Sequence, residues 1–117
     1  MIADFDTYIS KRWNGTQPAQ QPKGEIPFSP VAAMGLAGET GEVLEHLKKH
    51  YRDGKHPGEA LLLELGDVLH YLTVIAQAYG WTLDDVSAAN MAKLAKRDEQ
   101  KRRDAMTLQE LREAGLL

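Results

Sequence analysis

The stretch ETGEVLEHL at positions 39–47 returns 25 positions later as ELGDVLHYL at 64–72, with five of the nine residues identical. Each copy puts an acid first, a glycine third, a second acid fourth and then Val-Leu. At about 100° per residue, side chains three apart differ by about 60° around an α-helix, so each copy aims its two acids one way. A chain written like this must explain Glu39, Glu42, Glu64 and Asp67 together.

Helical spacing dominates the remainder. Ile2, Phe5, Ile9 and Trp13 recur every three or four residues, which predicts a short amphipathic helix ending at Asn14-Gly15. TQPAQQPKGEIPFSP follows, with four prolines and no regular period, and reads as an irregular loop long enough to serve as a binding loop or an arm over a neighbouring subunit. Ser29-Pro30 is a helix start, and a long helix is expected from there to Tyr51 or Arg52. RDGKHPGE breaks it, and a second long helix is expected over 59–79, stopped by Gly80. The short turn between them predicts an antiparallel pair. Thr82 with Asp85 resembles a capping box opening a fourth helix through Arg97. KRDEQKRRDA then reads as a solvated charged segment, and MTLQELREAGLL as a last short helix capped by Thr107 and Glu110 and closed by Gly115. No strand-like alternation occurs, so the expected fold class is all-α.

On the helical projection, Val43 and Leu47 flank the first acid pair, and Val68, Leu72 and Ile75 flank the second. The acids thus border apolar stripes. Antiparallel helices that bury those stripes bring four carboxylates together, and a cation relieves the repulsion. Oxygen donors without sulfur suit a hard ion, Mg²⁺ or alternatively Mn²⁺. Gly41 and Gly66, between the acids of each pair, would let helices or a ligand approach closely. The plainer reading is a solvated acidic face, the common fate of Glu and Asp; the duplication on adjacent helices weighs against it.

Asn90, Lys93 and Arg97 share one side of the fourth helix with Val86 and Leu94. Arg and Lys suit phosphate oxygens, and Asn a sugar or base, against the alternative of a salt-bridged surface. Tyr71 lies one turn past Asp67, where its hydroxyl could reach a ligand or simply tip a core residue. Trp13 and Phe28 flank the proline loop and are more naturally packing residues than base stackers. His46 and His70 lie near the acids, but a lone helical histidine is usually structural. Lys48, Lys49 and Arg52 add positive potential near one end of the groove.

The 117-residue chain has the size of one domain, 1–117: an N-terminal helix and loop (1–30), the helices that carry the paired acids and the basic stripe (31–97) and a charged tail (98–117). A formal charge of -3 lacks the positive excess of a polynucleotide binder. The absence of cysteine removes disulfides and thiolate metal sites. MIADFDTYIS carries two aspartates and no long apolar run, so neither a signal peptide nor a membrane span is expected and the default location is cytoplasmic.

GLAGETGEV, ELGDVLHYL and NMAKLAKR together resemble the MazG-like nucleoside triphosphate pyrophosphohydrolases of the all-α pyrophosphatase superfamily: Glu-x-x-Glu, a gap of 21 residues here, Glu-x-x-Asp, and a downstream Asn-x-x-Lys-Leu-x-x-Arg. The resemblance covers roughly residues 31–97. It implies that Glu39, Glu42, Glu64 and Asp67 hold Mg²⁺, that Asn90, Lys93 and Arg97 contact the nucleotide, and that a nucleoside triphosphate is cleaved to the monophosphate and pyrophosphate. It also implies a homodimer or dimer of dimers. His70 stands where the family often has an aromatic.

The expected activity is metal-dependent attack of water on the α-phosphorus, with Glu39 or Glu42 orienting or deprotonating the water and Lys93 and Arg97 holding charge on the leaving group. A di-iron carboxylate bundle, suggested by Asp67-x-x-His70 and by Glu42 with His46, and a non-catalytic helical dimerisation module are the alternatives. Leu36, Leu44, Leu61, Leu65, Leu69 and Leu83 point in more directions than one hairpin can cover, so a four-helix-bundle core completed by dimerisation is expected.

Overall fold

The computed structural model describes residues 1–12, 26 and 30–117, and every regular element among them is helical. The elements are α1 (Ile2–Arg12), α2 (Pro30–Asp53), α3 (Glu59–Ala78), α4 (Leu83–Asp104) and α5 (Leu108–Glu113). The expectations for Ser29, the proline loop, Trp13 and Phe28 fall outside the described residues. No helix among the described residues is long and apolar enough to cross a membrane. The chain divides into two compact units, Met1–Leu83 and Asp84–Leu117.

In the first unit α2 and α3 form the expected hairpin, and α1 packs on α3. Two glycines shape the connector: Gly54, at φ 69°, ends α2 by donating to the His50 carbonyl at 2.9 Å, and Gly58, at φ 60°, precedes α3. Only glycine takes such angles without strain. At the far end of α3, Gly80 donates to the Gln77 carbonyl and Trp81 to that of Ala76, both at 3.0 Å. This is a Schellman arrangement, and it stops the helix at Gly80 as expected.

The core is small: Ile9, Ala32 and Val74 are buried, with Phe5, Tyr71, Ile75 and Ala78 packed around them. Thr73 is fully buried, and its hydroxyl donates to the Leu69 carbonyl at 2.6 Å, which removes the cost of an unpaired polar group. The close approach of α2 and α3 occurs at Gly35, where an added Cβ would overlap the Tyr71 ring. Gly41 and Gly66 meet nothing within 4 Å. The expectation that these two glycines admit the neighbouring helix is therefore corrected, because the helices meet one to two turns away.

Asp6 fastens α1. Its Oδ2 accepts the Leu83 N–H at 2.9 Å, and its carbonyl accepts from the Gln77 amide at 2.6 Å. The partners are 77 and 71 positions away, so nothing local in the sequence announces them.

In the second unit α4 continues seven residues beyond Arg97 to Asp104, so the charged segment KRDEQKRRDA is solvated, as expected, but is part of the helix and not a segment after it. The residues are good helix formers, and they pair along the surface: Arg102 and Arg103 with Glu99 at 2.7 and 3.5 Å, and Gln100 with Asp104 at 2.7 Å. The α5 expectations hold. Thr107 and Glu110 form a reciprocal capping box, and Gly115, at φ 73°, closes the helix.

Candidate metal centre

Three of the four acids converge. Ligand oxygens of Glu39, Glu64 and Asp67 all lie within 4.8 Å of one another. Glu39 comes from α2 and the other two from α3, so the hairpin itself assembles the trio. Glu39 and Glu64 are half-buried, whereas Asp67 is exposed. Glu42, one turn beyond Glu39, is exposed and outside the trio, although its charge is still felt at Glu39.

Crowding shows in the protonation of Glu39. Its carboxyl titrates above the ordinary range, chiefly because it is hydrogen-bonded to Glu64, then through partial desolvation and the charges of Asp67, Glu64 and Glu42. The repulsion that raises it is what a bound cation would relieve. Three carboxylate oxygens, with no sulfur or imidazole among them, fit a hard divalent ion. His46 stands beside the trio, its Nε2 3.8 Å from Glu64. His70 is half-buried; burial first, then the Arg12 charge, pushes its pKa down.

One opening borders the trio. A groove of about 390 Å³ runs between α1 and α3 past Tyr8, Arg12, Leu62, Gly66, Asp67 and His70. It lies within the roughly 300–1,000 Å³ of small-molecule sites, and Asp67 belongs both to it and to the trio. Tyr8 and Arg12 escaped sequence reasoning, because only the docking of α1 on α3 brings them to the acids. Tyr71, a candidate ligand contact, is half-buried with its ring against Gly35 and stacked on His70 at 4.9 Å.

Asn90, Lys93 and Arg97 are exposed on α4. Arg102 and Arg103 are paired with Glu99, but Lys93 and Arg97 enter no ion pair among the described residues. The salt-bridged surface that would have explained them is thus found one turn further along.

An all-helical fold whose central hairpin gathers carboxylates from Glu-x-x-Glu and Glu-x-x-Asp defines a class, and the sequence match agrees. Residues 31–101 match the MazG nucleotide pyrophosphohydrolase domain, and the chain belongs to that family. The family is one of nucleotide pyrophosphohydrolases that are typically dependent on a divalent metal. The chain is 35% identical over 72 residues to the Gene 37 protein of Mycobacterium phage L5, covering 57% of this chain and 63% of the phage protein. It is 30% identical over 88 residues to Uncharacterized protein YvdC of Bacillus subtilis (strain 168), covering 66% and 83%. The match therefore spans less than two thirds of the phage relative's length. No solved structure matches the chain.

Proposed function

We propose that the protein hydrolyses a nucleoside triphosphate to the monophosphate and pyrophosphate, using Mg²⁺, with Mn²⁺ as the alternative hard ion. The observation that carries this reading is the convergence of Glu39, Glu64 and Asp67 within 4.8 Å, where the hydrogen bond to Glu64 and the crowding of like charges raise the pKa of Glu39. These three would hold the metal. When bound, the ion supplies positive charge that neutralises phosphate oxygens and acidifies water. Glu42, outside the trio but within electrostatic reach of Glu39, is the carboxylate suited to orient the attacking water and take its proton; Glu39 is the other candidate. Water oxygen bonds to the α-phosphorus, the bond from that phosphorus to the bridging oxygen breaks, and pyrophosphate leaves with the electron pair.

The groove bordered by Tyr8, Arg12 and Asp67 has the size for the nucleoside. Asn90, Lys93 and Arg97 serve as nucleotide contacts in the same reading, supported by Lys93 and Arg97 entering no ion pair among the described residues and by the resemblance of NMAKLAKR to the family segment. A homodimer, or a dimer of dimers, completes the fold. Leu44 is 60% exposed, Leu47 44% and Tyr51 95% along one stripe of α2, and Leu65 is 49% exposed on α3. A monomer seldom leaves so continuous an apolar stripe in water.

Pyrophosphate release, followed across the eight common ribo- and deoxyribonucleoside triphosphates with Mg²⁺ and with EDTA, tests the activity. Metal-dependent turnover of at least one is expected. Folded protein that cleaves none of them would instead favour a non-catalytic helical module.

A further inference from the structure

The turn between α2 and α3 encloses a second cavity, of about 160 Å³, lined by His46, Lys49, Lys55, His56, Pro57 and Ala60. Four of these six side chains carry nitrogen and none is a carboxylate. Of the acids close in sequence, Glu45 pairs with Lys48 at 3.0 Å and Asp53 with Arg52 at 2.8 Å, and Glu59 at the start of α3 is not among the lining residues. Asp53 feels Lys49 and Lys55 only at longer range, and neither lysine enters an ion pair among the described residues. His56 Nδ1 accepts the Gly58 N–H at 3.0 Å, which leaves the ring proton on Nε2. That nitrogen is then a donor whether the imidazole is neutral or charged.

A small cavity walled by donors and hydrocarbon receives an anion. At about 160 Å³ it is well below the roughly 300 Å³ at which whole-ligand pockets begin, so it suits a phosphate-sized group and not a nucleoside. His46 connects it to the acids, since the same side chain lines the cavity and lies 3.8 Å from Glu64. The nucleoside-sized groove reaches the trio through Asp67, and the basic cavity reaches it through His46 and Glu64.

We propose that this cavity is the subsite for the terminal phosphates of the nucleotide, the group that departs as pyrophosphate. The assignment rests on the acid trio marking the reacting phosphate. Lys49 and Lys55 supply point charges, His56 Nε2 a directed hydrogen bond, and His46 a bridge between the anion and the Glu64 carboxylate. Chain length beyond the α-phosphate is thereby sensed by residues of the α2–α3 turn.

The test is calorimetric titration of inorganic pyrophosphate into the full chain at pH 7 in EDTA, so that binding is read without turnover. One site is expected, displaced by a nucleoside triphosphate and not by a nucleoside monophosphate. Lys49→Ala with Lys55→Ala should weaken it at least about tenfold. Lys48→Ala with Arg52→Ala removes the same charge from the same turn outside the cavity and should stay within about twofold of wild type. Absence of binding, equal loss in the two double variants, or pyrophosphate that a triphosphate fails to displace would each overturn the subsite. Binding as expected in a protein that cleaves no triphosphate defeats the proposed reaction and leaves an anion site. Metal-dependent turnover without pyrophosphate binding does the reverse.

Discussion

Gly35 on α2 leaves the space that the ring of Tyr71 on α3 occupies: a Cβ at position 35 would overlap the ring at Cζ and both Cε atoms. Overpacking of this kind costs about 1–3 kcal/mol, and the helix preference for alanine returns about 1 kcal/mol. Gly35→Ala should therefore destabilise by about 1 kcal/mol in chemical denaturation. Combined with Tyr71→Phe, which keeps Cζ, the loss should persist; combined with Tyr71→Leu, it should not add. Simple additivity with Tyr71→Leu would show that the two helices do not meet there.

Replacing an acid of the trio should move activity and stability in opposite directions. Asp67→Asn is expected to lower turnover about 10²-fold or more, while raising the melting temperature in EDTA because like charges are relieved. Normal Mg²⁺-dependent pyrophosphate release from this variant would end the case for the trio as a metal site.

The raised titration of Glu39 gives a pH signature. The folded protein keeps this proton to higher pH than the unfolded chain, so the stabilisation is fully present below the ordinary carboxylate value of about 4.3 and is lost as pH rises through the folded value. His70 runs the other way: its lowered pKa contributes stability that is fully present above the unfolded value of about 6.5 and is lost as pH falls through the folded value. Comparing wild type with Glu39→Gln in EDTA isolates the first effect. The variant's relative stability should increase with pH through the window just above 4.3. A difference independent of pH would mean that Glu39 and Glu64 do not share a proton.

Gly41 and Gly66 each weaken a helix by roughly 0.5–1 kcal/mol relative to alanine, and no neighbouring atom forbids a methyl group at either position. Gly41→Ala and Gly66→Ala should raise stability by about that amount. If a ligand or second subunit passes over them, turnover should fall while stability rises. Full activity in both variants would reduce the glycines to tolerated accidents.

Lys93→Ala and Arg97→Ala should each raise KM for the nucleotide about tenfold with helicity unchanged. Steady-state kinetics that match wild type in both would return the stripe to ordinary surface.

The elements legible in the sequence were those fixed by neighbouring residues. Gly80 ended α3 because only its own turn had to agree, and Thr107 with Glu110 closed α5 by the same local logic. The acid pairs were legible as pairs. Which three converge was not, because that depends on how α2 is rotated against α3, and contacts such as Gly35 with Tyr71 set the rotation. Asp6, Tyr8 and Arg12 were invisible because their partners lie on helices distant in the chain. The solvation of the charged end of α4 was legible; its helical continuation was not, because the Glu99–Arg102 pairing was not weighed.

That helix has a further consequence. From Ser87 to Ala105 every residue of α4 and its end is exposed, with Met91 at 71% and Leu94 at 43%. A helix of 22 residues rises about 33 Å, yet helical order in water rests mainly on a packed face, and beyond its first residue, Leu83, this helix has no buried residue in the described structure. Its order is therefore borrowed from whatever covers Met91 and Leu94. Dilution should melt it before the α2–α3 hairpin, so that the nucleotide-contacting stripe exists in full only where the protein is concentrated or occupied.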